Sequence, residues 1–198
     1  MRGLELGIKG CWEIELDHYD DSRGVFFESF KLNSLENIIN RKFEVKQSNT
    51  SISKMGSIRG IHFAQLPPSQ AKYIQCNSGS ILDFIIDVRV GSPTFKQHVS
   101  VKLDGNSRKA IFIEEGLAHA FISLEDDTRV TYLVNQYFNP TIEKSINPFD
   151  EEIAINWGNL KYILSEKDRG AHSLKEMKNS NQLPVYEDCC KFIETIKF

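Results

Sequence analysis

The strongest constraint on how this chain can fold lies between Leu82 and Val134, where short alternating segments are separated by turn residues. Leu82, Phe84, Ile86, Val88 and Val90 fall on one face of the first segment, and Asp83, Ile85, Asp87 and Arg89 on the other. That two-residue period is the signature of a β-strand. Asn77-Ser78-Gly79 precedes the segment and Gly91-Ser92-Pro93 follows it; both are turn signals. Val99, Val101 and Leu103 alternate next, and Asp104-Gly105-Asn106 turns the chain. Ala110–Ile113 and Thr128–Val134 read as two further strands, separated by Gly116 and the acidic turn Glu125-Asp126-Asp127. Short strands broken by turns in this way predict an antiparallel sandwich or barrel.

Helical periodicity is confined to the flanks. Leu32, Leu35, Ile38 and Ile39 share a face, with Asn33 or Ser34 as the expected cap. Cys189, Phe192, Ile193 and Ile196 follow the spacing of an amphipathic helix, whose apolar face must dock on the barrel or on a partner subunit. The expectation is a mainly β fold, a barrel or jelly roll with short peripheral helices at its two ends. No repeat, low-complexity tract or linker interrupts it, so residues 1–198 are expected to form one continuous domain.

Composition narrows the function classes. The 198 residues are 40% hydrophobic and 26% charged, close to the globular average. A net charge of −3 leaves no basic excess for nucleic acid. No apolar run approaches the roughly 20 residues of a bilayer span. The opening stretch Met1–Asp17 mixes charges among its apolar residues and does not resemble a secretory signal, so a cytoplasmic location is expected. Cys11, Cys76, Cys189 and Cys190 form neither a CxxC pair nor a zinc spacing and are read as reduced thiols.

The densest chemistry lies between Gln47 and Lys72, which holds Arg59, His62, Gln65 and Lys72 among glycines and prolines. Arg suits phosphate, His titrates near neutral pH, and Lys is a compact charge for a developing oxyanion. Together they fit an anionic or carbonyl substrate, although a surface Arg or Lys is by default solvated and a strand His by default satisfied. Tyr132 shares parity with Val130 and Val134 and so points to the apolar side. There it is either a core tyrosine bonded to backbone or a neutral proton donor. His119 lies on a turn entering a strand. The paired His-x-His of metal-binding cupins is missing at Gly60-Ile61-His62-Phe63, so no catalytic metal is expected. Asp168 reads by itself as a surface loop acid.

Seven segments in order give these residues a context. They are Asp21–Glu28, Gln47-Ser48-Asn49, Arg59–Gln65, Pro67–Tyr73, Asp87-Val88-Arg89 with Gly91–Thr94, Glu115–His119 and Leu164–Asp168. Together they resemble the dTDP-4-dehydrorhamnose 3,5-epimerase family, over about Met1 to Pro184. The resemblance implies a cupin-type jelly roll acting as a homodimer without metal or organic cofactor. It implies as substrate a dTDP-linked 4-keto-6-deoxyhexose. It also implies roles: His62 as general base with Asp168 as its orienting partner, Tyr132 as acid on the opposite ring face, and Lys72 at the enolate oxygen. Arg59 and His119 are similar to substrate or phosphate contacts, and Gln47 and Asn49 to substrate-site positions. Arg23, Phe26 and Glu28 resemble nucleotide-binding residues contributed across the dimer interface.

The chemistry accounts for those residue types. A C4 ketone acidifies the protons on C3 and C5, a base removes one, and an oxyanion forms at O4. A preorganised donor at such an oxygen typically contributes about 2.7–4 kcal/mol. Inversion needs reprotonation from the other face, hence a second proton-bearing group. The chain departs from the family pattern in three places: Phe138 stands where a Tyr is common, Ala120 replaces a Gly after His119, and Lys167 replaces an Arg. Inversion at both C3 and C5 is the leading expectation. The alternatives are an epimerase acting at one carbon, a non-catalytic sugar-nucleotide-binding barrel, and a metal-dependent cupin.

Overall fold

The computed structural model describes Met1–Phe198. Its strands are β1 (Arg2–Glu5), β2 (Cys11–Glu15), β3 (His18–Asp21), β4 (Gly24–Phe27), β5 (Gln47–Ser53), β6 (Ile58–Ala64), β7 (Lys72–Ser78), β8 (Ser80–Ile86), β9 (His98–Asp104), β10 (Lys109–Ile113), β11 (Ala118–Ser123), β12 (Thr128–Val134) and β13 (Glu143–Ser145). The helices are α1 (Leu32–Ile39), α2 (Glu166–Arg169), α3 (Leu174–Asn179) and α4 (Tyr186–Glu194). Six strands form one sheet in the order β1-β2-β10-β7-β12-β5, and five form a second in the order β13-β6-β11-β8-β9. β3 and β4 make a separate hairpin. The result is the expected mainly β, cupin-type jelly roll with short helices.

The central strands of both sheets are covered on both faces, and this explains their residue pattern. One apolar cluster, including Ile74, Cys76, Ile81, Ile85, Phe121 and Val130, fills the space between the sheets. A second lies on the outer face of the five-stranded sheet, where Phe84, Ile86, Ala118 and Ile122 meet Trp157, Leu174 and Met177 from the chain's last third. A third packs Leu35 and Ile39 of α1 onto Ile14, Tyr73 and Phe112 of the six-stranded sheet. A strand buried on both faces reads as a nearly continuous apolar run. So β8 is buried on its Leu82-Phe84-Ile86 side and on its Ile81-Ile85 side alike. It ends at Ile86 rather than Val90. Beyond it the Asp87 side chain accepts bonds from the Arg89 guanidinium at 2.9 and 2.8 Å.

One expectation about the helices is corrected and an open one is decided. Helix α1 begins at Leu32, and Lys31 occupies the cap position without a side-chain bond. Asn33 and Ser34 lie inside the first turn, where they cannot cap. The face of α4 docks on its own barrel: Cys189 is buried, and Ile196 just beyond the helix accepts a bond from the Lys42 amide at 3.0 Å. Past the C-terminus of α1, Arg41 is 1% exposed and grips Glu115 with two bonds of 2.5 and 2.8 Å.

One irregularity positions the site. β6 and β11 pair His62 with His119 but Arg59 with Phe121, so β6 carries one residue more than its partner over that stretch. This is a β-bulge. Without it, residues three apart point to opposite faces; with it, both Arg59 and His62 line the space between the sheets. Gly60 sits in the bulge at φ +132, and a Cβ there would lie 2.3 Å from the Ala120 Cβ and 2.8 Å from the His119 carbonyl oxygen. Gly60→Ala should therefore destabilise the fold by about 1–3 kcal/mol for backbone conformation alone, with the close approach to Ala120 adding to it. Urea unfolding checks this; a loss below about 0.5 kcal/mol would mean that the bulge tolerates a side chain.

Candidate active site

A cavity of about 570 Å³ opens between the two sheets. Register explains its lining. On the six-stranded sheet Tyr132 pairs with Asn49 and with Ile74, and Val134 pairs with Gln47 and with Lys72. These positions share one face of the pleat, so Gln47, Asn49, Lys72 and Tyr132 all reach the cavity. The opposite sheet supplies Arg59 and His62 from β6, His119 from β11 and Glu143 from β13. Ser165, Lys167 and Asp168, on and just before α2, close one side, and Phe138 lies at another. Ten of the thirteen expected site residues thus converge. His119 sits within a strand rather than on a turn.

His62 and Asp168 form a dyad, with Nε2 to Oδ1 at 2.6 Å. Asp168 is buried, which corrects its reading as a surface acid. The local sequence explains the placement. Ser165 caps α2 by accepting from the Asp168 amide at 3.1 Å, and its hydroxyl donates to Oδ2 at 2.8 Å. Burial pushes the Asp168 carboxyl up, but the bonds and charge of His62, the Ser165 hydroxyl and Lys167 outweigh it and hold the group below its usual range. An anionic Asp168 orients the ring and leaves Nδ1 as the free nitrogen.

A second dyad was not anticipated. His119 Nε2 lies 2.6 Å from Asp83 Oδ1, and Asp83 is 0% exposed. Its other oxygen has no hydrogen-bond partner. Burial pushes this carboxyl up, against the opposing charge and bond of His119. The two pairs are therefore electrostatically unlike: one carboxylate is well solvated by the protein, the other is nearly dry. The signal in the sequence was an acid amid the apolar residues of Ile81–Ile86, which simple alternation assigned to a polar face. Glu143 was also missed, since nothing in its local pattern marks it.

Lys72 is 8% exposed, not a solvated surface charge. Burial lowers its ammonium from the usual lysine range, partly opposed by Glu143. Burial likewise raises Tyr132, reinforced by Glu143 and opposed by Arg59, so its hydroxyl keeps its proton well above neutral pH. Arg59 Nε donates to Ser53 Oγ at 3.0 Å, which holds the guanidinium at the cavity wall. Gln47 joins Asn49 at 2.7 Å and accepts from the Phe138 amide at 3.1 Å, tying the Phe138 segment to β5. Arg23, Phe26 and Glu28 are not among the lining residues. They lie on or next to the β3–β4 hairpin, where Phe26 is 68% exposed, Arg23 pairs with Asp21 and Glu28 with Lys31. No group of three or more His, Cys, Asp or Glu side chains is arranged to hold a metal ion.

Comparison with known proteins agrees with this geometry. The family model described as dTDP-4-dehydrorhamnose 3,5-epimerase matches residues 5–176. The chain belongs to that family. The dTDP-4-dehydrorhamnose 3,5-epimerase of Mycolicibacterium smegmatis is 43% identical, covering 100% of this chain and 98% of that protein. Among solved structures, the RmlC epimerase of Mycobacterium tuberculosis superposes with a TM-score of 0.97 at 40% identity, covering 100% of both chains. A 3'-monoepimerase from Streptomyces bikiniensis, solved in complex with dTDP-quinovose, gives 0.94 at 35% identity, covering 99% of this chain and 98% of that one. The epimerase family thus includes enzymes named for two positions and for one.

The lowered Asp168 carboxyl sets a testable pH dependence. A depressed folded value stabilises the fold above the ordinary carboxylate range of about 3.9 and is lost as pH falls through the folded value. Between about pH 6 and pH 3 the unfolding free energy of Asp168→Ala should therefore fall less than that of the parent. Urea midpoints at stepped pH check this; a constant difference would mean that His62 does not hold Asp168 as an anion.

Proposed function

We propose that this protein is a cofactor-free epimerase of a dTDP-linked 4-keto-6-deoxyhexose that inverts C3 and C5 in rhamnose-type deoxysugar biosynthesis, working as a homodimer in the cytoplasm. The observation that carries the reading is the placement of His62 on one sheet and of Lys72 and Tyr132 on the facing sheet. A sugar ring lying between them meets a base on one face and an acid on the other.

In this reading His62 Nδ1 takes the proton from C5 or C3, and the imidazolium is balanced by Asp168, as in other His–carboxylate pairs. The electron pair moves to O4, where the buried Lys72 ammonium stabilises the oxyanion in a partly desolvated site. Tyr132 then returns a proton to the carbon from the opposite face. Proton transfer next to a ketone requires a base, an oxyanion donor and an acid, and His62, Lys72 and Tyr132 suit those roles. Arg59, His119 and Lys167 take the diphosphate, and Gln47 and Asn49 the sugar hydroxyls. Phe138 offers a flat apolar ring at the opening without the hydroxyl common in the family. Arg23, Phe26 and Glu28 reach a nucleotide only from a second copy. The exposed Tyr19, Val25 and Phe26 of the hairpin support such an assembly.

The deciding experiment is NMR of dTDP-4-keto-6-deoxy-D-glucose with the protein in D2O, following deuterium at C3 and C5 separately. Label is expected at both carbons. Label at one carbon replaces the proposal with a single-position epimerase, and label at neither replaces it with a binding protein. His62→Ala should lower exchange by about 10²- to 10⁴-fold while nucleotide-sugar binding persists; retained exchange overturns the base. Tyr132→Phe should slow inversion more than proton loss, and equal effects would make Tyr132 a packing residue.

A further inference from the structure

Lys72 Nζ has a hydrogen-bond acceptor that belongs to no titratable group: the side-chain oxygen of Gln70, at 2.5 Å. Gln70 is itself buried and lines the same cavity. Its amide has two unlike ends, and only the oxygen suits an ammonium. The other end, Nε2, donates to the Gln136 carbonyl at 2.9 Å. A flipped amide would set NH2 against the ammonium and oxygen against the carbonyl, losing both bonds. The Gln136 carbonyl therefore fixes which end Lys72 meets.

The backbone beside this contact is also held. The Ala71 amide donates to Asn135 Oδ1 at 2.8 Å, and Asn135 Nδ2 donates to Glu115 Oε1 at 2.8 Å. Glu115 is in turn gripped by the buried Arg41. Residues 70–72 and 135–136 are thus clipped together by side chains reaching in opposite directions. The clip leads back to a buried ion pair outside the cavity.

We infer that Gln70 is a positioning residue: its amide, locked by the Gln136 carbonyl, holds the Lys72 ammonium charged and in place at the cavity wall. The catalytic consequence rests on the proposed role of Lys72 as the oxyanion donor. An ammonium has three N–H donors. One goes to Gln70, and two are left for an oxyanion in the cavity. The titratable groups around the cavity are Glu143 on β13, Tyr132 on β12, His62 and Arg59 on β6, His119 on β11, and Lys167 and Asp168 on α2. Burial works against the charged lysine and Glu143 works for it; the Gln70 carbonyl dipole adds to the second side at hydrogen-bond distance.

The test compares Gln70→Leu, which removes the acceptor, with Gln70→Glu, which keeps an acceptor and adds charge. The primary measurement is the pH titration of Lys72 in full-length protein carrying 15N at lysine Nζ, a readout that needs no substrate. The Lys72 titration should move to lower pH in Gln70→Leu and to higher pH in Gln70→Glu. If neither variant moves it, Gln70 only packs, and the inference is overturned. If Gln70→Leu does not fold, Gln70→Met, unbranched and of similar length but without the acceptor, takes its place in the test.

The second measurement is solvent exchange of dTDP-4-keto-6-deoxy-D-glucose. Gln70→Leu should lower its maximal rate by about 10- to 100-fold with little change in KM, and the alkaline limb of the pH profile should follow the Lys72 titration in both variants. A lower melting temperature with an unmoved limb overturns the positioning role. Absence of exchange in the parent protein would count against the epimerase reading, while the 15N titration would still decide what Gln70 does to Lys72.

Discussion

The extra residue in β6 is the constraint on which the cavity depends. A regular strand shows alternate residues to one face, so Arg59 and His62 would stand back to back. The bulge turns both inward, and only a residue without a Cβ fits where Gly60 passes Ala120. The inner face of the five-stranded sheet thereby gains a cation and an imidazole side by side. The six-stranded sheet needs no such device, because Gln47, Asn49, Lys72 and Tyr132 share a face through ordinary pairing.

Burial then gives the groups different ionic characters. It lowers Lys72 and raises Tyr132, drawing a cation toward neutrality while keeping a phenol protonated. The two His–carboxylate pairs divide in the same way. Asp168 is surrounded by donors and favours its anion, whereas Asp83 is dry with one oxygen unpaired. Pairs of titratable groups pushed apart by their environments are the usual mark of acid–base sites. Here the inequality follows from position: Asp168 sits at a capped helical turn, and Asp83 in the middle of a central strand.

Much of this was legible in the sequence where the signal is local. Thr128–Val134 has the strand limits that alternation predicts, and Tyr132 points as its parity requires. The family resemblance brought together His62, Lys72, Tyr132 and Asp168, although residues 62 and 168 touch only through the tertiary fold. What was hidden depends on register or on covering layers. Alternation has no means of showing a bulge. It assigned Asp83 to a polar face, although Ile81 and Ile85 on that same side belong to the interior between the sheets. Gln70 gains meaning only from the segment that follows β12, and Glu143 only from the facing sheet. The α1 cap failed for a simpler reason: the apolar face begins at Leu32 itself, which leaves Asn33 and Ser34 inside the helix.

The cavity draws on residues from Gln47 to Asp168 and on strands of both sheets. No hairpin or short contiguous fragment contains the four central side chains, which run from His62 to Asp168. The loop-closure entropy of several distant pairings must be met before the site is complete. One sheet by itself therefore holds only part of the site, and chemistry that needs both faces of the cavity reports on completion of the whole β-sandwich rather than on any of its pieces.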